Sequence, residues 1–299
     1  MKKPSTTLNV AQNTVFQRNS LKNSRNNFNH TPTTGALGKA KIGIVGYGMV
    51  GGAVGAKFTT AAIYDPKKFP DGWPAVNACN IEFNCVPTPY KKTTRYDYRA
   101  IDATAKRLTG HKIVVLKSTI LPGKTAELQK RFPRHTWLFN PEFLRDKTAV
   151  QDFLKPDRQI VGAAQPTAKH RVAAKLVMSL LPRAPFRAVV TSTEAELIKL
   201  FANAFLATKV VFANMLYDVC RQIGADFEPV KLGVGRDPRI TTSMMNVILD
   251  GYRGYSGKCF PKDVGALIWF GRHTKHRLPL LETADAMNWK LLPKSHRHR

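Results

Sequence analysis

Short apolar runs recur along the chain from Lys41 onward: Lys41–Val45, Ala61–Tyr64, Asn80–Val86, Lys112–Leu116, Trp137–Phe139 and Gln159–Gly162. Runs of this length, rich in Val, Ile and Phe, read as buried strands. Between them lie segments long enough for helices, such as Tyr98 to Leu108 and Ala168 to Leu181. Strands alternating with helices predict an α/β fold built on a parallel, doubly wound Rossmann-type sheet. The texture changes at Thr193. From Glu194 to Ile223 there is neither Pro nor Gly, and apolar residues recur at helical spacing through Leu197, Leu200, Phe201, Ala204, Phe205, Val211 and Phe212. This pattern predicts one helix of roughly 28 residues, about 42 Å long. More helices and no further strands are expected after it.

The chain therefore divides into a tail over 1–40, a sheet domain over 41–193 and an all-helical domain over 194–299. Residues 1–40 hold six Lys or Arg, no acid and no apolar periodicity, the composition of a disordered tail or of an organelle transit leader. With 299 residues and 43% hydrophobic content, the remainder suffices for two packed domains. No run approaches the ~18 apolar residues that a membrane span needs. Cys79, Cys85, Cys220 and Cys259 show neither metal-ligand spacing nor a paired framework. Free thiols, no metal site and a reducing cytoplasm are the expectation, or an organelle if the leader is cleaved.

Charge adds a second theme. Lys and Arg number 47 against 20 acids, a formal +27. Positive potential steers phosphorylated substrates. A charge this large exceeds what one nucleotide needs and raises contact with nucleic acid or another polyanion, with a generally basic surface as the alternative.

Gly46-Tyr47-Gly48-Met49-Val50-Gly51 follows the first strand and opens a helix, and Asp65 closes the second strand 19 residues after Gly46. The glycines permit a tight turn and close backbone approach to a pyrophosphate, which the amides of Met49 and Val50 at the helix start would receive. Asp65 suits ribose hydroxyls and so favours NAD; Lys67 and Lys68 beside it would tolerate a 2′-phosphate.

Five blocks carry the rest of the chemistry: Cys85-Val86-Pro87-Thr88-Pro89; Lys117-Ser118-Thr119-Ile120-Leu121-Pro122-Gly123; Asn140-Pro141-Glu142-Phe143-Leu144-Arg145-Asp146; Glu196 to Asn203; and Gly254-Tyr255-Ser256-Gly257-Lys258-Cys259-Phe260-Pro261-Lys262-Asp263. Cys259 sits in a glycine-rich loop beside Lys258 and Lys262, whose charge is expected to favour the thiolate. Lys199 and Asn203 are four apart, so on a helix they share one face, where an ammonium and an amide can stabilise negative charge on a reacting oxygen.

In order and content these blocks resemble the UDP-glucose/GDP-mannose dehydrogenase family over about residues 41–290. The resemblance implies NAD-dependent, four-electron oxidation of a nucleotide sugar, UDP-glucose to UDP-glucuronate. In that chemistry a cysteine captures the intermediate aldehyde as a thiohemiacetal, and the resulting thioester is hydrolysed. It implies Cys259 as nucleophile, Lys199 and Asn203 on the reacting oxygen with Thr119 and a water nearby, Asp263 handling protons and Glu142 serving hydrolysis. Pro87, Thr88 and Thr119 fall to the cofactor. Phe143, Leu144, Arg145 and Asp146 match the sugar-contacting loop, where Asp146 replaces the more usual Glu, and Tyr255 and Gly257 belong to the substrate side. Ser256 stands where a second Gly is common, a costly exchange if that position needs positive φ. Arg239 matches an arginine that in relatives reaches the neighbouring subunit's substrate, which implies a homodimer.

Relatives continue into a second α/β domain that grips the nucleotide, for which the residues after Asp263 leave no room. The expectation is a separate chain supplying that domain, use of the dimer partner and basic side chains instead, or a scaffold that has lost activity. The last gives the alternative function, a dehydrogenase-fold scaffold or RNA-associated component of a larger assembly.

Overall fold

The computed structural model describes residues 40–91 and 95–297. The tail expected over 1–40 lies, except for Ala40, outside the described residues. Seven strands form the main sheet: β1 (Ile42–Val45), β2 (Ala62–Tyr64), β3 (Ile81–Asn84), β4 (Ile113–Leu116), β5 (Thr136–Phe139), β6 (Arg158–Ala163) and β7 (Phe186–Thr191). Their spatial order is β2-β1-β3-β4-β5-β6-β7. Helices α1 (Met49–Lys57), α2 (Trp73–Asn77), α3 (Arg99–Arg107), α4 (Lys124–Arg131), α5 (Ala149–Leu154) and α6 (Ala168–Leu180) connect them. Then come α7 (Ser192–Gln222), α8 (Phe227–Gly235), α9 (Phe260–His273) and α10 (Pro279–Leu291).

Alternation along the strands decides which helices cover which face. Ile44, Phe83, Val115, Leu138 and Val161 pack against Ala53 and Val54 of α1 and against Ala173, Ala174 and Val177 of α6. Val45, Val114, Leu116, Trp137, Phe139 and Ile160 point the other way, toward Ile101 and Ala105 of α3 and Leu128 of α4. Two polar residues interrupt this second face. Glu82 and Asn84 of β3 are both fully buried, and neither the Glu82 carboxyl nor the Asn84 amide makes a well-formed hydrogen bond.

The sheet departs from the expected all-parallel form. β1 to β5 are parallel neighbours, but β6 pairs antiparallel to β5, with Leu138 opposite Ala163 and Phe139 opposite Gly162. β7 then runs parallel to β6 over six residue pairs. β7 was not among the expected runs. It is an edge strand whose Phe186 is exposed and whose apolar stretch is broken by Arg187, so its signal is weak. The region after 193 is helical but also holds a small hairpin, Ile248–Leu249 with Tyr252–Arg253. Its turn residues Asp250 (φ 53) and Gly251 (φ 85) both have positive φ, as a tight Asp-Gly hairpin turn requires.

α7 spans 31 residues and starts on a capping box: Thr191 Oγ1 accepts from Glu194 N–H while the Glu194 carboxylate accepts from Thr191 N–H. Leu200, Ala204, Ala207 and Val211 bury one stripe of it against Val264, Leu267 and Ile268 of α9. Another stripe stays open, with Phe201, Phe205, Phe212 and Val219 each more than half exposed. Among the described residues no helix is long and apolar enough to cross a membrane, and no group of three His, Cys, Asp or Glu is placed to hold a metal ion.

Candidate active site

Parallel strands deliver their C-terminal ends to one edge of a sheet, which is where α/β proteins bind ligands. The loops after β1, β3, β4 and β5 open there onto a cavity of about 1630 Å³, whose far wall is α9 and α10. In the first loop Gly46 has φ +85, and a Cβ on it would lie 2.9 Å from the Cys85 carbonyl. A Cβ on Gly51 would lie 1.9 Å from Gly46 O, whereas Gly48 faces open space. Gly46 and Gly51 thus set the turn, and Gly48 leaves the approach clear. α1 begins at Gly48 with no side-chain cap, and Gly48, Met49 and Val50 line the cavity. Uncapped amides at a helix start, with clear space before them, suit a pyrophosphate.

Asp65 lies beside that turn. Its Oδ2 accepts from Tyr47 N–H at 2.8 Å, and its Oδ1 accepts from the amides of Lys67 and Lys68 at 2.9 and 3.1 Å. The Tyr47 amide, more than any other group, holds its carboxyl below the usual range, so it stands ionised in the cavity wall. Lys67, Pro87, Thr88 and Thr119 line the same cavity, and Thr88 Oγ1 donates to Thr119 O at 2.8 Å, tying two loops together. A dinucleotide with an unsubstituted ribose fits this donor and acceptor set.

At the other end Cys259 caps α9 and is the exposed member of the four free cysteines. Two polar pairs flank it. Lys199 Nζ lies 2.8 Å from Glu142 Oε1 and donates to Glu142 O at 2.7 Å, with both side chains under 10% exposed. Asn203 Nδ2 donates to Asp263 Oδ2 at 2.6 Å, and Asp263 Oδ1 accepts from Tyr96 Oη at 2.8 Å. Lys262 Nζ stands 3.2 Å from Asp263 Oδ1. Lys199 and Asn203 therefore share the buried face of α7, as their spacing requires. Burial is the largest influence on the Glu142 carboxylate and works against it, but the Lys199 ammonium, the Leu144 amide and the Lys117 charge together keep its pKa below the ordinary value.

The expected thiolate is overturned. Partial desolvation within the cavity, then the negative charges of Asp263 and Glu142, push the Cys259 thiol up, and Lys199 and Lys262 offset only part of this. The reason is pairing: each lysine is spent on a carboxylate, so the cysteine meets ion pairs in place of free cations. Cys85 also lines the cavity, but burial pushes its thiol up to about 12.

The remaining candidates divide between the cavity and its surroundings. Gly257 (φ 80) lines the cavity. Tyr255 is buried beneath it, its N–H on Asn288 Oδ1 at 2.7 Å and its hydroxyl on Asp285 at 3.1 Å, so it anchors the loop. Ser256 escapes the feared strain, because Gly254 and Gly257 take the positive φ values. The Phe143 ring has the Arg158 guanidinium 3.8 Å from its centre and the Lys199 ammonium 5.7 Å from it. Phe143, Leu144, Arg145 and Asp146 are not among the residues lining the cavity. Leu144 packs toward the core, Arg145 pairs with Asp152 at 2.6 Å, and Asp146 opens an exposed turn. Arg239 is exposed and clamped by Asp237 at 2.6 Å. Sequence reasoning missed Tyr96, which no local pattern marks. It also assigned no role to Lys117, which is buried at the cavity floor with Nζ 2.8 Å from Asn140 Oδ1.

Comparison with known proteins agrees with this layout. The NAD binding domain of the UDP-glucose/GDP-mannose dehydrogenase family matches residues 69–179, and the central domain of the same family matches residues 193–290. The chain is 34% identical over 230 residues to UDP-glucose 6-dehydrogenase TuaD of Bacillus subtilis, covering 72% of this chain and 48% of that protein. It is 36% identical over 193 residues to UDP-glucose 6-dehydrogenase of Rickettsia prowazekii, covering 62% and 43%. The chain thus spans about half the length of these relatives. Among solved structures, a UDP-glucose dehydrogenase from the archaeon Pyrobaculum islandicum superimposes with a TM-score of 0.71 at 26% identity, over 87% of this chain and 70% of that one.

Proposed function

Because this chain belongs to the UDP-glucose/GDP-mannose dehydrogenase family, whose members are NAD-dependent nucleotide-sugar dehydrogenases, we propose that it oxidises UDP-glucose to UDP-glucuronate with Cys259 as nucleophile. One observation carries the reading: Cys259 and Glu142 line the cavity that begins at the glycine turn, and directly behind its wall Lys199 pairs with Glu142 while Asn203 holds the Asp263 carboxylate, whose charge reaches the Cys259 sulfur.

NAD, when bound along the glycine turn and Asp65, supplies the hydride acceptor for both oxidations. The chain's own residues do the rest. Lys199 spends two of its three N–H donors on Glu142, leaving one for the substrate oxygen, and Asn203 keeps a second amide hydrogen beside it. Asp263 takes the alcohol proton through a water, with Thr119 alongside. The Cys259 sulfur bonds to the aldehyde carbon as the thiol proton passes to the aldehyde oxygen, and the second oxidation of this tetrahedral hemithioacetal would leave a thioester on Cys259. Glu142, kept ionised by Lys199, draws a proton from the water that cleaves the thioester and frees the thiol. Phe143 to Asp146 and Arg239 fall to substrate contact once the nucleotide sugar, and a second copy of the chain, close on this face.

We assign residues 41–193 to the cofactor domain and 194–299 to a central, dimerising domain. The open stripe of α7, Phe201, Phe205, Phe212 and Val219, supports a homodimer, since contiguous apolar surface of this kind marks an interaction site. Four free cysteines agree with a reducing cytoplasm.

The test is NADH formation from UDP-glucose and NAD, with and without a chain supplying a nucleotide-binding domain. Roughly two NADH per sugar and loss of both in Cys259→Ala are expected. Folded, NAD-loaded protein that turns over no nucleotide sugar in either mixture defeats the reading.

A further inference from the structure

At the adenosine end of the cavity the side chains form an unusual stack. Four α3 residues line it, Ala100, Ala103, Thr104 and Arg107, at the spacing that puts them on one helix face. The Arg107 guanidinium carbon lies 4.0 Å from the centre of the Trp73 ring and 5.1 Å from that of Tyr64. Arg107 Nη1 donates to Tyr64 Oη at 3.0 Å, and the two rings meet edge to face at 5.2 Å. Tyr64 is the residue immediately before Asp65. The stack therefore begins one residue from the carboxylate that suits the ribose.

We propose that Arg107 is a cofactor-binding residue, its guanidinium plane forming the wall on which the adenine ring of the dinucleotide stacks. This rests on the cofactor assignment made above. A guanidinium is flat, delocalised and weakly hydrated on its faces, so it stacks on aromatic systems from either side. Trp73 covers one face here, yet Arg107 remains exposed to the cavity it lines. Its hydrogen bond to Tyr64 fixes the plane, so little side-chain entropy remains to be lost on binding. Ala100 and Ala103 on the same face leave room for a flat ring beside it. A base suits this wall better than an anion does, because the ionised Asp65 next to it repels a 2′-phosphate.

The experiment titrates the full chain and its Arg107→Ala and Arg107→Lys variants with NAD, ADP-ribose, NADP and nicotinamide mononucleotide by calorimetry. Arg107→Ala is expected to weaken NAD and ADP-ribose by roughly ten-fold each and to leave the mononucleotide unchanged. Arg107→Lys, which keeps the charge without the plane, is expected to recover little. Trp73→Leu, which removes the platform behind the guanidinium, is expected to follow Arg107→Ala. Unchanged NAD affinity in Arg107→Ala overturns the proposal. So does full recovery in Arg107→Lys, or a loss confined to NADP, since either means that charge and not stacking is read. If the unsubstituted chain binds no NAD at all, it is the cofactor assignment that fails.

Discussion

Glu142 is held by Lys199 through two oxygens at once, the carboxylate Oε1 at 2.8 Å and its own backbone carbonyl at 2.7 Å. The pair links the loop after β5 to the buried face of α7, joining residues 57 apart in sequence. Charges this deep are favourable only while both are present.

Lys199→Met therefore leaves an uncompensated buried carboxylate and is expected to destabilise the fold by roughly 3–5 kcal/mol. Lys199→Met combined with Glu142→Leu removes both charges and recovers most of that loss. Urea unfolding of the two variants checks this. A single variant as stable as the unsubstituted chain would show that the pair contributes nothing.

Cys259 is expected to alkylate slowly near neutral pH and faster as the pH rises, with its midpoint above the ordinary thiol value of 9.0. Only the thiolate reacts, and the folded surroundings disfavour it. Asp263 is the largest charged contributor to that shift, so Asp263→Asn moves the midpoint down. Iodoacetamide rates across a pH series measure both midpoints, and an unmoved midpoint in Asp263→Asn refutes the assignment.

Burial raises the Glu82 carboxyl to about 8, and that of Glu196 to about 7. Both folded values exceed the ordinary 4.5, so the unfolded chain releases these protons first. The stability they contribute is complete below about 4.5 and is lost as the pH climbs through 7 to 8. Glu82→Val removes an unsatisfied buried carboxyl and is expected to add about 1–3 kcal/mol in alkaline buffer. It should also flatten the fall in Tm between about pH 5 and about pH 9, leaving the Glu196 share. Melting curves at both pH values decide; an unchanged slope rules out Glu82 as the source.

Much of this was legible locally. The glycine turn, Asp65 and the Lys199–Asn203 spacing are short-range patterns, and the cofactor edge and buried helix face followed from them. Partnerships were not. Asp263 is joined to Tyr96 across 167 residues, and no periodicity predicts that contact. The thiolate expectation fails for a related reason: the charges of Lys258 and Lys262 are visible in the sequence, but the burial of the sulfur and the pairing of Lys262 with Asp263 and of Lys199 with Glu142 are not. The reversal of β6 is equally silent, because an apolar run carries no direction.

Phe205→Glu and Phe212→Glu place charges on the open stripe of α7 and are expected to convert a dimer to a monomer without loss of helix content. Sedimentation velocity and circular dichroism test this. A chain that is monomeric before substitution excludes the homodimer.

The antiparallel turn of β6 and β7 also fixes a phase. β7 leaves the sheet at Thr191, at the level of Ala163 and hence of Leu138, and α7 must climb back to the loop that holds Glu142. Eight helical residues from Thr191 to Lys199 rise about 12 Å, and at that height the ammonium meets Glu142 in the loop after β5. The number of helical residues after the cap thus sets the height at which the ammonium meets its carboxylate. One inserted residue before Lys199 would swing the amine about 100° around the axis. Length between Thr191 and Lys199 is therefore as strictly set as the identity of the two charged groups.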